Sequence, residues 1–466
     1  MKENISINLK IFGFRYHLVL ILLVLLACEP GEKERAAINT DYVENQLLVM
    51  YREGVDRQKA RISALILKEY PEAKKRGCSA CNESVDLWEA EGIQDILLEG
   101  HIEVSQIGNV RTTGMTEDGS VFFSLNFLDA IPNEEKEKDG LPESEAVPDY
   151  ADFRSEEKVT VAILDSGIET GAFPEQYLWK SSGNRCYRSE KYGWNFVGEN
   201  ADVTDDTAFL HGTLINAYVL EQFFKIKNNI PELLNVKVLD NNNEGNLFDL
   251  ICGIFYAREK KAKVINTSLG FYDYDLFGQK HPYLDYLITD VLRKDSIVFV
   301  TAAGNETAFS NEMFVQLNLP GSPRDLNSHN FHLAVIGDTE DRALNNMVVV
   351  TTINDKLTQT SPRQNHASKH VDMGVVAERI NGDSYQFSLP FITPQDPGDY
   401  IGGSSFASGI VAGKIGASIN PRFYTLVATQ NKKTWMSHLE VTNVFDIPDS
   451  PTGIEPQVKY GRYSKR

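Results

Sequence analysis

The chain has 466 residues, 42% of them hydrophobic and 24% charged, enough to bury a sizeable core and to form two or three domains. Its 46 basic and 65 acidic side chains give a formal charge of −19. That balance argues against a nucleic-acid partner, because phosphate binding needs clustered Lys and Arg.

Lys2, Lys10 and Arg15 precede LVLILLVLLA, an unbroken apolar run from Leu18 to Ala27. Such a run covers about half of a bilayer core, too little for a permanent span. A basic flank, a short apolar stretch and small residues describe a secretory signal over residues 1–28. Its last four residues, Leu25-Leu26-Ala27-Cys28, resemble the lipobox of bacterial lipoproteins. That resemblance implies that Cys28 becomes the lipidated first residue of an exported protein. It also implies contact with a lipid bilayer at the bacterial cell envelope, at the outer membrane or cell surface. Residues 29–43 are polar and acidic and read as a tether.

Residues 44–130 read as a small α+β domain. NQLLVMY and VFFSLNF have strand patterns, and VDRQKARISALILKEY is helical with apolar Ile62, Leu65 and Ile66. Residues 131–158 are rich in Pro, Glu and Asp and read as an exposed acidic linker that a protease can cut. Four cysteines remain after Cys28: Cys78 and Cys81 in a CxxC, and Cys186 and Cys252. No further ligands stand at zinc spacing, so structural pairing or plain burial is expected, with no pairing specified.

The pattern changes at Val159. VTVAIL, LNVKVL, KVINTSL and SIVFVTAA are continuous apolar runs such as strands buried on both faces have. Between the second and third, LFDLICGIFYAREK carries Leu247, Leu250, Ile251, Ile254 and Phe255 on one helical face. Strands alternating with helices predict an α/β fold with a mostly parallel sheet between helix layers. Ligand sites in such sheets lie beyond the carboxyl ends of the strands.

The residues just past those runs carry the chemistry. Asp165 ends the first, in LDSGI, where a rigid carboxylate can orient an imidazole. His211, in LHGT, stands at the mouth of a predicted helix. Asn305, in AAGN, offers an amide donor for an oxyanion. GSSFASGIVAG places Ser404 and Ser405 where a glycine turn enters an apolar helix. The chain order Asp, His, donor, Ser is that of the subtilisin-type site.

On these motifs, with VINTSLGF, residues 159–466 resemble the subtilisin-like serine peptidases, or subtilases. NPRFYTLVATQ resembles the helix that follows the serine helix in that family, and YGRY its closing strand. The resemblance implies Asp165, His211 and Ser405 as catalytic residues and Asn305 as oxyanion donor. It aligns Ser268, Leu269 and Gly270 with the substrate-binding strand. Ser405, the third residue of the family's G-T-S-x-A pattern, becomes the nucleophile, and Ser404 replaces the usual threonine. Polypeptide substrates and hydrolysis without a required cofactor are implied as well. Many subtilases bind structural calcium, but no site can be assigned. LDNNNEG begins like a calcium loop, yet Ile251 stands where that loop needs glutamate.

Subtilases are often made with an α+β propeptide, the role the resemblance implies for residues 44–130. The linker would then be the maturation region, and the propeptide a partner of its own peptidase domain. Three features depart from the family: Leu210 replaces the glycine before the histidine, Leu214-Ile215-Asn216 follow HGT, and no proline follows the helical start at Ser405. The alternative from a different class is a lipoprotein of this fold that binds peptides or a partner protein with little or no hydrolysis.

Overall fold

The computed structural model describes residues 41–79, 81–102, 105–106, 112–130, 152–183, 185–275, 279–337, 340 and 342–466. The signal, Cys28, most of the tether and most of the acidic linker lie outside the described residues.

The amino-terminal region contains β1 (Gln46–Tyr51), α1 (Asp56–Glu69), β2 (Lys74–Ser79), β3 (Asn82–Glu89), β4 (Ser105–Gln106), β5 (Thr113–Met115) and β6 (Val121–Ser124). The strands form one sheet in the order β2-β3-β1-β6-β5-β4, antiparallel at every pairing. Strand β1 lies inside the sheet, and Leu47 to Tyr51 are buried along its whole length. Helix α1 turns Ile62 and Ile66 inward, while Leu65 is only half-buried.

The next strand, β7 (Leu128–Ala130), leaves that sheet. It is followed by β8 (Lys158–Asp165), β9 (Gly193–Asn195), α2 (His211–Ile226), β10 (Ile230–Lys237), β11 (Glu244–Asn246) and α3 (Leu247–Glu259). Then come β12 (Val264–Thr267), β13 (Phe271–Tyr272), β14 (Val298–Ala302), β15 (Phe331–His332), β16 (Met347–Ile353) and β17 (Met373–Val376). The chain ends with β18 (Arg379–Asn381), β19 (Ser384–Ser388), β20 (Tyr400–Gly402), α4 (Ser404–Ser418) and β21 (Tyr463–Ser464).

The main sheet has eight strands in the order β21-β17-β16-β14-β12-β8-β10-β9, parallel at every pairing. The four apolar runs are its neighbours β10, β8, β12 and β14. Parallel strands need crossovers, and helices supply them. Helices α2 and α4 pack together where Ile215, Val219 and Phe223 meet Gly409, Gly413 and Gly416. They meet backbone to backbone: a Cβ on Gly413 would lie 2.6 Å from the Val219 carbonyl oxygen. Among the described residues no helix is long and apolar enough to cross a membrane.

Helix α3 differs from the one-faced pattern. Phe248, Cys252 and Tyr256 are buried together with the predicted face. Tyr256 is covered by the rings of Tyr187 and Phe196 at 4.7 and 5.9 Å, while Phe248 and Cys252 meet the amino-terminal region on the outer side of this helix. The Arg76 guanidinium sits 4.7 Å over the Phe248 ring, and Cys252 is disulfide-bonded to Cys78. A second disulfide joins Cys81 to Cys186. Both bonds therefore run between the amino-terminal sheet and the parallel-sheet region.

The same contact continues along β6 and β7. Phe127 stacks on Phe271 at 4.7 Å, and Phe122 lies 5.3 Å from Tyr283. Glu53 pairs with Arg258 at 2.7 Å. The Leu247 N–H donates to the Phe127 carbonyl at 2.9 Å, and the Phe248 N–H to Asn126 Oδ1 at 3.0 Å. So bonded, the described residues form one compact unit.

His281 is buried in this contact. Its Nδ1 accepts the Leu284 N–H at 3.3 Å, so the neutral ring carries its proton on Nε2, 3.0 Å from Ser124 Oγ. Burial without a charge partner pushes its pKa down to about 3. The unfolded ring protonates near 6.5, so the stabilisation is present above that pH and is lost as pH falls toward 3. At pH 5 the loss is about 2 kcal/mol. Replacing His281→Asn keeps an acceptor for the Leu284 N–H and removes the titration. Urea unfolding at pH 7 and pH 5 should show a stability difference smaller by about that amount in the variant.

Candidate active site

Strand β8 delivers Asp165 at its carboxyl end, where the Ser166 N–H donates to Asp165 Oδ1 at 2.8 Å. The same carboxylate oxygen lies 2.7 Å from His211 Nδ1, and the two side chains are 1% and 0% exposed. A carboxylate only accepts, so Nδ1 carries the proton and Nε2 is the basic nitrogen of the neutral ring.

His211 is the first residue of α2. The chain reaches it through Leu210, which holds left-handed dihedrals of φ 53°, ψ 44°. A Cβ in that region costs about 1–2 kcal/mol. The approach is braced by Asp205, buried and missed in the sequence. Its Oδ1 accepts from Ser166 Oγ at 3.0 Å and Thr207 Oγ1 at 2.7 Å. Its Oδ2 accepts from the Thr213 N–H and hydroxyl, both at 2.9 Å. Ser166 Oγ in turn accepts the Gly212 N–H at 3.0 Å. One carboxylate thus ties the end of β8 to the first turn of α2. An acidic residue six places before the histidine was the only available signal, and spacing alone does not say where it points.

Helix α4 opens with Ser404 and Ser405 after Gly403, whose φ of 147° favours glycine. The Ser404 N–H and hydroxyl donate to Asn305 Oδ1 at 3.3 and 3.1 Å. Those bonds commit the amide oxygen and turn the Nδ2 end of Asn305 away from Ser404. Asn305 itself follows β14 through Gly304, with φ 92°, where a Cβ would lie 2.6 Å from the Phe331 ring.

Ser405 Oγ donates to the Ser268 carbonyl at 3.2 Å. The Ser405 carbonyl accepts from Ser408 Oγ at 2.8 Å and Ser268 Oγ at 3.2 Å. A single cavity is lined by Ser268, Leu269 and Gly270 on one side and by Asn305, Ser404 and Ser405 on the other. Leu128 of β7 lines it too, and β7 pairs antiparallel with β11, Leu128 opposite Asn246. The His211 ring lies 5.4 Å from the ring of Phe406, the neighbour of Ser405. The positive end of α4 also lies at this cavity. Among the described residues no group of three or more His, Cys, Asp or Glu side chains is arranged to hold a metal ion.

The sequence profile of the Subtilase family matches residues 156–449. The chain belongs to the subtilase family. Pyrolysin of Pyrococcus furiosus is 29% identical over 170 residues, which are 35% of this chain and 9% of that protein. The cell wall-associated protease of Bacillus subtilis is 39% identical over 83 residues, 17% of this chain and 9% of that protein. The match thus spans less than a tenth of either relative's length. The crystal structure of the epidermin leader peptide processing serine protease from Staphylococcus aureus superposes with a TM-score of 0.51 at 14% identity. It covers 91% of this chain and 97% of that one. At that identity the likeness concerns the fold alone, and its coverage extends past the subtilase region into the amino-terminal sheet.

Two departures of this subtilase acquire physical readings. Asn216 is fully buried, and its Nδ2 donates to the Gly212 carbonyl at 2.8 Å, a bond inside the first turn of the histidine helix. Leu210 holds a conformation that suits the glycine usual there. Its side chain is only half-buried, so removing it sacrifices little apolar burial. Replacing Leu210→Gly should therefore raise stability by about 1 kcal/mol. Thermal unfolding checks this through a higher Tm.

Proposed function

We propose that this subtilase is an exported serine endopeptidase, lipid-anchored through Cys28 and made as a self-processing zymogen. The observation that carries the reading is the buried 2.7 Å bond between Asp165 and His211, whose ring lies 5.4 Å from that of Phe406, the neighbour of Ser405. No cofactor is needed for this chemistry.

In this reading an extended polypeptide lies along Ser268, Leu269 and Gly270 and pairs through its backbone. The Ser405 hydroxyl turns from the Ser268 carbonyl to His211, which takes its proton as Oγ attacks the peptide carbonyl. Asp165 holds the imidazole tautomer and stabilises the imidazolium. The developing oxyanion takes hydrogen bonds from Asn305 Nδ2 and the Ser405 backbone N–H. His211 then gives its proton to the leaving amine, and water releases the acyl group by the same steps in reverse roles.

The zymogen reading rests on β7. Leu128 lines the cavity while its strand is hydrogen-bonded to β11, so the amino-terminal region covers the groove a substrate would enter. The chain that follows Ala130 is the acidic linker, the expected maturation region.

Labelling with a fluorophosphonate probe tests the assignment. The wild-type chain and Ser404→Ala should label after the amino-terminal region is trimmed, and Ser405→Ala should not. Labelling that survives in Ser405→Ala overturns the nucleophile, and a trimmed, folded wild type that never labels overturns the enzyme. Replacing Asn305→Ala should lower kcat about 10²–10³-fold on a peptide substrate with little change in KM.

A further inference from the structure

Removing a propeptide would cut the peptidase from its own lipid anchor, and the cysteines bear directly on that conflict. Cys78 and Cys81 flank the turn between β2 and β3, a hairpin at the edge of the amino-terminal sheet. Their partners are Cys252, in the middle of α3, and Cys186, in the loop before β9. The Cα–Cα distances of 5.1 and 5.7 Å lie within the range that a disulfide spans. The two bonds close loops with sequence separations of 174 and 105, and both loops contain all of residues 131–158.

We propose that maturation does not release the amino-terminal region: a cut in the linker yields two chains held by Cys78–Cys252 and Cys81–Cys186. The amino-terminal chain stays as a covalent subunit lying over the groove, and the peptidase chain stays joined to whatever the amino terminus is anchored to. Tethering of this kind keeps the cover at an effective concentration of about millimolar, so dilution does not remove it. The natural cut belongs to the proposed self-processing, so the test supplies its own.

A recognition sequence for a site-specific protease is placed within residues 131–151 of the full chain in a Ser405→Ala background, where only the added protease cuts. The cut protein is alkylated with iodoacetamide, denatured and weighed by intact mass. Without reductant a single species of summed mass is expected. With dithiothreitol two species are expected, each bond taking two electrons and two protons as the reagent closes to its cyclic disulfide. Either Cys78→Ser or Cys81→Ser alone should leave the chains joined through the other bond, and the double variant should separate without reductant. Under graded reductant the exposed Cys81 bond should open before the bond to fully buried Cys252. Two masses from the parent protein without reductant overturn the proposal. The alkylated mass of the amino-terminal chain then tells free thiols from a bond between Cys78 and Cys81, and either outcome leaves the assignment of Ser405 untouched.

Discussion

The parallel register of the main sheet is the constraint on which the rest depends. Because every paired strand runs the same way, the carboxyl ends of β8, β12 and β14 emerge along one edge. Asp165, Ser268 and Asn305 occupy or follow those ends, and each is held by backbone that has just left a buried ladder. The crossover helices α2 and α4 return to that same edge by their amino termini, bringing His211 and Ser405. No residue in the group is near another in sequence, yet the topology leaves them nowhere else to be.

What the sheet positions coarsely, hydrogen bonds refine. Asp205 accepts from Ser166, Thr207 and Thr213 and so fixes where α2 starts relative to β8. Ser404 holds the Asn305 amide in one orientation, which is why exchanging a threonine for a serine at this place keeps the arrangement. Ser408 and Ser268 satisfy the carbonyl of Ser405 from two sides. Asp205, Ser268, Ser404 and Ser408 are short and buried. Each therefore has to be matched, since a buried donor or acceptor left alone costs about 1–3 kcal/mol.

Much of this was legible from residue patterns because buried parallel strands advertise themselves. VTVAIL and SIVFVTAA have no polar alternation, and the functional residues stand where the apolar runs stop. The helix α3 was legible only in part. Its Leu250 and Ile254 face was visible, but Phe248 and Cys252 are covered by an amino-terminal sheet far earlier in the chain, and Tyr256 by Tyr187 and Phe196. Asp205 was hidden for a related reason, since a carboxylate before a histidine reads the same whether it faces solvent or a ring of buried donors. The cysteine partners were invisible altogether, because sequence separation carries no distance information once the chain has crossed the linker.

That separation has a consequence in time. Cys78 is made 174 residues before the thiol it ends up bonded to, an interval of roughly 10–35 s at ordinary rates of synthesis. Until Cys186 has been made, the neighbour within reach is Cys81, three residues away on the same hairpin. The pairing seen in the folded chain is therefore one that the chain either waits for with its thiols reduced or arrives at by exchange, through attack of a later thiolate on a bond already made.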